Sequence, residues 1–266
     1  MTILGDYATS RHGQIHLRCL AAADGSDRTL ICLHPAPSSG LWFATAMPLL
    51  NGSRTVLAPD YPGYGGSAGL SSPPNIGDYA DAMLDVIADL ESTTPVDLLG
   101  FHTGCFVGAE MALRQPEVVG QLLLCDVPSF AADQRVALKQ KMAVPMNVTP
   151  ELKSLTSVWD FNIAPRVPDV PMERALELLA EHLRAGEHDY YAFAAAFDYE
   201  WETRFAELRA DTTVLATQSA LHASSVAGAA VIEGATFVDV PEVTSAVFET
   251  GAAAISKRIL SALGET

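Results

Sequence analysis

One ten-residue stretch, Val96–Cys105, constrains the fold more than any other part of the chain. An apolar run leads into Gly100-Phe101-His102-Thr103-Gly104, and a segment with helical spacing follows. Two glycines around three residues allow a sharp turn between a strand and a helix, which lifts the middle side chain above the carboxyl end of the strand. The stretch therefore predicts a strand–turn–helix unit with the imidazole of His102 at its apex.

Short apolar runs alternate with helical patterns on both sides of this unit. Such alternation is typical of an α/β domain with a mostly parallel sheet. Strands are predicted over Gly13–Leu20 (as an edge strand), Arg28–His34, Arg54–Pro59, Pro95–Gly100, Gly120–Cys125, Thr212–Thr217 and Ala235–Val240. Helices are predicted over Leu41–Leu50, from Asn75 or Asp78 to Glu91, over Thr103–Arg114 and over Ala246–Leu263.

The character of the chain changes between Phe130 and Leu208. Strand patterns stop, prolines become frequent, and helical stretches carry many aromatic residues. We interpret residues 130–208 as a helical cap (a lid) inserted into an α/β core that residues 1–129 and 209–266 form. Most of the aromatic side chains are expected to build the interior of the cap itself.

Length and charge limit the class of protein. The chain has 266 residues, enough for one α/β domain with an insertion, and a formal net charge of −16. An acidic surface repels nucleic acid and anionic membranes, so the expected partner is a small molecule. The N-terminal residues lack the features of a signal peptide and no apolar run approaches the ~20 residues of a membrane helix, which favours a cytoplasmic protein.

The four cysteines, Cys19, Cys32, Cys105 and Cys125, all lie in apolar or small-residue segments, and none forms a CxxC pair. We expect them to be reduced and mostly buried. For Cys105, packing is favoured over reactivity, because its position in the helix turns it away from the apex of the turn. No set of His, Cys and carboxylate residues has metal-ligand spacing, so neither a metal nor a cofactor is expected.

Four motifs together resemble the α/β-hydrolase superfamily. They are Leu33-His34-Pro35-Ala36, similar to the family's oxyanion loop; Asp60-Tyr61-Pro62-Gly63-Tyr64-Gly65-Gly66-Ser67, similar to its D-x-P-G-x-G-x-S loop; the Leu99–Gly104 turn; and the Leu122–Asp126 strand. The resemblance implies a mostly parallel eight-stranded sheet with flanking helices and a helical cap insertion.

The resemblance also implies where a Ser-His-Asp triad would lie, and all three positions differ here. His102 occupies the nucleophile position. The stretch expected to carry the acid, Thr217–His222, contains no carboxylate, and Ser245 aligns with the catalytic histidine. The usual acyl-enzyme mechanism therefore cannot be assembled from these positions.

The oxyanion hole, in contrast, is expected to survive. In this family, one backbone N–H follows the nucleophile and another comes from the loop after the third strand. The resemblance assigns these donors to Thr103, at the start of a helix, and to Ala36, since Pro35 has no N–H to donate.

Two residues are candidates for catalysis. His102 can act as a general acid or base near neutral pH, or less often as a nucleophile; alternatively it fills the pocket of a non-catalytic protein. Asp126 ends the predicted strand that follows the His102 turn, and it can orient the His102 ring. Alternatively, Asp126 is a turn or capping residue before Pro128.

Four further residues are candidates for substrate binding: His34, Ser38, Trp42 and Ser245. For His34 the favoured interpretation is structural, as the residue that bonds the oxyanion loop to neighbouring backbone. His222 could reach the pocket from the loop that usually carries the acid, but a surface position is favoured.

The expected function is that of an α/β-hydrolase-fold enzyme without a serine nucleophile. It would act on a small, mostly apolar carbonyl or ester compound, by hydrolysis or by lyase or cyclase chemistry, with His102 as acid or base. The alternative is a pseudoenzyme that binds a small ligand in the same pocket. A third interpretation is an assembly component whose cap mediates homodimer formation.

Overall fold

An eight-stranded sheet forms the centre of the protein in a computed structural model that describes residues 2–23, 25–26, 28–92, 94–164 and 170–265. The strands are β1 (Leu4–Ser10), β2 (Gly13–Leu20), β3 (Thr29–Leu33), β4 (Thr55–Pro59), β5 (Val96–Phe101), β6 (Val119–Cys125), β7 (Asp211–Thr217) and β8 (Thr236–Val240). Their spatial order is β1-β2-β4-β3-β5-β6-β7-β8. Strand β2 runs antiparallel to both of its neighbours and all other pairs are parallel, which confirms the predicted mostly parallel sheet.

Helices cover both faces of the sheet. They are α1 (Met47–Leu50), α2 (Ile76–Asp89), α3 (Thr103–Arg114), α4 (Ala132–Met142), α5 (Thr156–Asn162), α6 (Met172–Ala185), α7 (Tyr191–Asp198), α8 (Trp201–Ala206), α9 (His222–Val231) and α10 (Ala252–Ala262). Helices α2 and α3 pack on one face and α1 and α10 on the other. In the ranges described, no helix is both long and apolar enough to cross a bilayer.

The sequence predicts Gly13–Leu20 at the edge of the sheet, and this prediction is wrong. Strand β1 lies outside it, with Leu4 opposite Cys19 and Ser10 opposite Gly13. Of the seven residues of β1, only Ala8 is buried. A strand with almost no buried face lacks the alternation of apolar and polar residues that identifies strands, and exposed polar edges of this kind are common in sheets.

Two predicted helices are shorter in the structure. Leu41–Leu50 divides into a 3-10 turn, Gly40–Phe43, and α1, because Pro48 near the start of α1 has no N–H to continue an earlier helix. The closing helix begins only at Ala252, not Ala246. The intervening residues form a loop whose apolar side chains, among them Phe248, are buried in the core without helical backbone.

Helix α3 begins and ends where the sequence predicts, and Asn75 is the residue that caps α2, through a capping box with Asp78. Helix α3 also crosses very close to the sheet. A Cβ added to Gly104 would lie 2.0 Å from the carbonyl oxygen of Leu33, so only glycine fits this crossing. The glycine spacing of the turn therefore reflects backbone contact between β3 and α3.

The loop after β4 is organised by one buried carboxylate, that of Asp60. It accepts hydrogen bonds from His16 and Arg18 and from the N–H groups of Gly40 and Gly66, at 2.7 to 2.9 Å. Burial alone would raise the pKa of Asp60, but the bonds from His16 and the charge of Arg18 lower it below its usual value. An ionised Asp60 thus joins strand β2, the 3-10 turn that begins at Gly40 and the loop after β4.

Helices α4 to α8 lie between β6 and β7. We call this segment, residues 130–208, the cap, and its role as a lid stays a prediction. Its described part, residues 130–164 and 170–208, contains no strand. Hydrogen bonds of Tyr64 and Glu110 are among those that join it to the core. Tyr64 donates to the carbonyl of Asp189 and accepts from the N–H of Ala192, and Glu110 of α3 accepts from Tyr199 and Arg204.

Candidate active site

His102 stands at the tip of a strained turn between β5 and α3. Its backbone has φ 50° and ψ −115°, a region that residues other than glycine rarely occupy. Its N–H donates to the carbonyl of Cys125 at 3.3 Å and its carbonyl accepts from the N–H of Cys105 at 2.9 Å. The half-buried ring lies 3.9 Å from that of Phe101, centroid to centroid. The strand–turn–helix frame thus holds an imidazole where the sequence places it.

Two cavities meet at this imidazole. The first chamber, of about 280 Å³, brings together six of the predicted residues: Ala36, Ser38, Trp42, His102, Asp126 and Ser245. The second chamber, of about 300 Å³, is lined by Ala36, His102 and Thr103 together with apolar side chains of the cap and its flanks. His102 and Ala36 therefore belong to the walls of both chambers.

The two predicted oxyanion donors lie at this junction. Thr103 is the first residue of the twelve-residue helix α3, and Ala36 follows β3. Neither N–H group donates to any acceptor in the part of the chain that the structure describes. A helix N-terminus with an unused N–H favours negative charge, so these two groups can hold an oxygen on which charge develops.

His34 is the one predicted site residue outside both chamber walls. Its Nδ1–H donates to the carbonyl of Pro35 at 2.9 Å, and its Nε2 accepts the N–H of Tyr61 at 3.0 Å. Burial lowers the pKa of His34 to about 4, so the ring is neutral at neutral pH. Its two hydrogen bonds join the loop after β3 to the loop after β4. This is the structural role that the sequence analysis favours for His34.

Asp126 is fully buried at the end of β6 and receives three hydrogen bonds. Thr217 donates its N–H to Oδ1 at 2.8 Å and its hydroxyl to Oδ2 at 2.6 Å, and the hydroxyl of Ser219 donates to Oδ2 at 3.1 Å. The loop in which the family would carry its acid thus supplies donors to a carboxylate on the neighbouring strand.

Ser38 differs from the other polar residues of the first chamber. The residue is only 4% exposed, and its hydroxyl has no hydrogen-bond partner among the residues that the structure describes. A buried hydroxyl without a partner is costly, and a ligand in the chamber could satisfy it. Ser245, by contrast, is exposed at the rim.

The sequence did not identify the residues that the cap contributes to the first chamber. Asn162 of α5 lines it, and its Nδ2 donates to Nδ1 of His182 at 2.7 Å. His182 in turn donates from Nε2 to Asp189 at 3.0 Å, so a buried Asp–His pair fixes the orientation of this amide. These three residues belong to segments with no distinctive motif, and no local signal could have linked them to His102.

Other candidates lie away from the chambers. Nε2 of His222 lies 3.1 Å from Oδ1 of Asp239 at the protein surface. This is the surface position that the sequence analysis favours. Cys105 is buried and its thiol donates to the carbonyl of Gly100, while burial raises its pKa well above the usual value. Within the described residues, no cluster of three or more His, Cys, Asp or Glu side chains could hold a metal ion.

A family profile matches most of the chain. Residues 30–257 match the profile described as "Alpha/beta hydrolase family". Because this match spans most of the chain, the protein belongs to the alpha/beta hydrolase family. The superfamily resemblance drawn from the four motifs is therefore confirmed.

Two curated relatives show moderate similarity. A fluoroacetate dehalogenase from a Burkholderia species is 30% identical over 129 residues, which is 47% of this chain and 42% of the dehalogenase. A Rhizobium rhizogenes protein assigned the name carbamate hydrolase RutD is 25% identical over 203 residues, 73% of this chain and 75% of the relative. The match to the dehalogenase thus spans less than half of that protein's length.

Solved structures of distant sequences share the fold over nearly the whole chain. A hydrolase from Pseudomonas aeruginosa has a TM-score of 0.80 at 20% identity, covering 98% of both chains. The enol-lactonase from Burkholderia xenovorans has a TM-score of 0.75 at 19% identity, covering 98% of this chain and all of the other. At such identities the likeness concerns the fold alone.

Proposed function

We propose that the protein is an enzyme that uses His102 as a general acid and base on a small carbonyl or ester compound. The observation that carries this proposal is the position of the imidazole. It stands on the strained turn between two chambers, beside two backbone N–H groups that have no acceptor in the described part of the protein. Strained backbone at the mouth of a pocket is typical of functional sites.

The chemistry needs no acyl-enzyme. The carbonyl oxygen of the substrate would accept hydrogen bonds from the backbone N–H groups of Ala36 and Thr103. In the hydrolytic form, His102 removes a proton from water as the water oxygen bonds to the carbonyl carbon, and the negative charge moves to the carbonyl oxygen. The intermediate then collapses, and the imidazolium returns its proton to the departing oxygen. Lyase or cyclase chemistry would use the same donors to hold an enolate.

Asp126 is proposed to support the imidazolium through its negative charge. Its carboxylate lines the first chamber together with His102 and is held in place by Thr217 and Ser219. A fixed carboxylate near a cation stabilises the charged form, so Asp126 would favour proton uptake by the ring. It is a positioning residue in this scheme.

The substrate is proposed to be small and mostly apolar. Both chambers have volumes near 300 Å³, at the lower limit of typical ligand pockets, and most of their walls are apolar. The two curated relatives are named for reactions of fluoroacetate and of a carbamate, which are small carbonyl compounds.

The test is turnover of a panel of p-nitrophenyl esters and β-dicarbonyl compounds by wild type, His102→Gln and His102→Ala. Loss of the acid–base group should lower kcat/KM about 10²- to 10⁴-fold with unchanged thermal unfolding. His222→Gln is the matched control, because His222 lies on the surface and lines neither chamber. Full activity in both His102 variants would refute the proposal.

Asp126→Asn should lower kcat and shift its pH profile.

A ligand-binding pseudoenzyme is the second candidate. It is favoured by the hydrogen bonds of Asp126, which satisfy both carboxylate oxygens from Thr217 and Ser219 without a catalytic partner. Compounds that raise the Tm of the wild type without being converted would support this candidate.

A further inference from the structure

The second chamber differs from the first in the chemistry of its walls. Its floor is formed by Ala36, His102 and Thr103, and every other lining residue has an apolar side chain. Four of these are phenylalanines, two of which, Phe193 and Phe197, stack at 6.3 Å on α7. A polar or charged group placed there would lose its hydration without gaining a partner beyond the floor.

The first chamber is also mostly apolar, but it carries polar groups that the second chamber lacks. Asp126, Ser219, Asn162 and Glu249 all contribute to its wall, as does the buried Ser38 hydroxyl, which has no partner among the described residues. Glu249 is itself fixed, since it accepts hydrogen bonds from Arg174 and Thr45. A group with hydrogen-bonding atoms therefore fits this side of His102.

Phe161 forms part of both walls, as Ala36 and His102 do. Its ring packs edge-on against Phe193 at 6.3 Å and against His182 at 5.9 Å. A substrate whose carbonyl lies at the Ala36 and Thr103 N–H groups could thus extend one substituent into each chamber.

We infer that the substrate is asymmetric about its carbonyl, with an aryl or alkyl group in the second chamber and a group that carries hydrogen-bonding atoms in the first. This inference rests on the proposed function, because it places the reacting carbonyl at His102. The second chamber has about 300 Å³, twice the roughly 150 Å³ that holds a benzene ring in a protein interior. By proportion, it takes an apolar group of on the order of ten carbon atoms.

The inference can be tested with p-nitrophenyl esters whose acyl chains lengthen from two to fourteen carbons. Each methylene buried in the second chamber should raise kcat/KM by up to about fourfold, until the chamber is full. The optimum should therefore lie at about ten to twelve carbons, by the same proportion.

Two substitutions on the same helix provide a matched pair. Ala196 of α7 lines the second chamber, whereas Ala194 lies two residues away and lines neither chamber. Ala196→Leu should shorten the preferred chain by several carbons, whereas Ala194→Leu should leave the rate with the acetyl ester within about twofold of wild type. Ala194→Leu should keep the wild-type chain-length profile. Phe197→Ala enlarges the chamber and should lengthen the preferred chain.

Binding separates failure of this inference from failure of the proposed function. Octanoate should displace the neutral fluorophore N-phenyl-1-naphthylamine from wild type and from Ala194→Leu, and should do so at least tenfold more weakly from Ala196→Leu. If His102→Ala retains full activity but these binding differences hold, the proposed function fails and the second chamber remains an apolar site. If His102 is essential but the chain-length profile is flat, or is identical in Ala196→Leu, the inference is overturned alone.

Discussion

Helices α3 and α4 have twelve and eleven residues, yet they are built in opposite ways. Ten residues of α3 are buried between the sheet and neighbouring helices, while α4, in the cap, buries none. Helix α4 is joined to α7 by an ion pair between Lys139 and Asp198, both largely exposed. Such pairs add little stability, whereas the burial of α3 is worth much more.

If the proposed function holds, this difference assigns separate tasks to the two sides of the site. The core side fixes His102 and both N–H donors through strand register and close backbone contacts, as chemistry at one atom requires. The cap side supplies side chains such as Phe161 and Asn162 that shape the chambers. We expect substitutions in the core to affect folding and chemistry together, and those in the cap to affect which substrates bind.

The largest effect is expected from glycine substitutions on the two sides. Gly104→Ala should destabilise the protein by more than about 4 kcal/mol, because its Cβ would lie 2.0 Å from the backbone oxygen of Leu33. Gly186→Ala, at the end of the cap helix α6, meets no atom within 4 Å and should cost only about 1–3 kcal/mol through its positive φ. Denaturant unfolding measures both changes; equal losses would contradict the division between core and cap.

Acid should weaken the core side through His34. Its pKa is lowered from 6.5 to about 4 in the folded protein by burial, so the unfolded chain binds a proton more readily. The stability due to neutral His34 is therefore complete above pH 6.5 and falls as the pH drops toward 4, by about 3 kcal/mol.

His34→Gln isolates this effect, since it removes the titrating group while other ionisable groups stay. The variant is less stable at pH 7, but its stability should change less than that of wild type between pH 6.5 and 4. Parallel curves for the two proteins would show that His34 does not contribute to the acid sensitivity.

The smallest effect is expected where the cap meets the core. Arg174 of α6 donates to Glu249 at 2.9 Å and to the carbonyl of Leu41 at 2.7 Å. Arg174→Ala should cost about 1–2 kcal/mol and raise KM more than it lowers kcat, because Glu249 lines the first chamber. Arg258→Ala, which breaks an exposed pair with Glu242, is the control and should change stability by less than about 1 kcal/mol. Identical KM values for all three proteins would argue against a role of this contact in shaping the site.

Local patterns predicted the elements closest to the chemistry. The bounds of α3 followed from the glycine-flanked turn and its helical spacing, and Asn75 began α2 through its capping box. Strand β1 was missed because it buries one residue only, and Leu41–Leu50 was taken as one helix although Pro48 interrupts it. Both errors concern segments in which buried residues do not recur along the sequence at the regular spacing of a strand or a helix.

The sequence by itself determined the family, the strained turn and the presence of His102 on it, because each depends on residues adjacent in the chain. Only the tertiary structure decided what surrounds the imidazole. Asp126 and Thr217 are 91 residues apart, yet they share a 2.6 Å hydrogen bond. Asn162 reaches the first chamber through its bond to His182, twenty residues further on. Such contacts arise from packing between distant segments, which no spacing of neighbouring residues encodes.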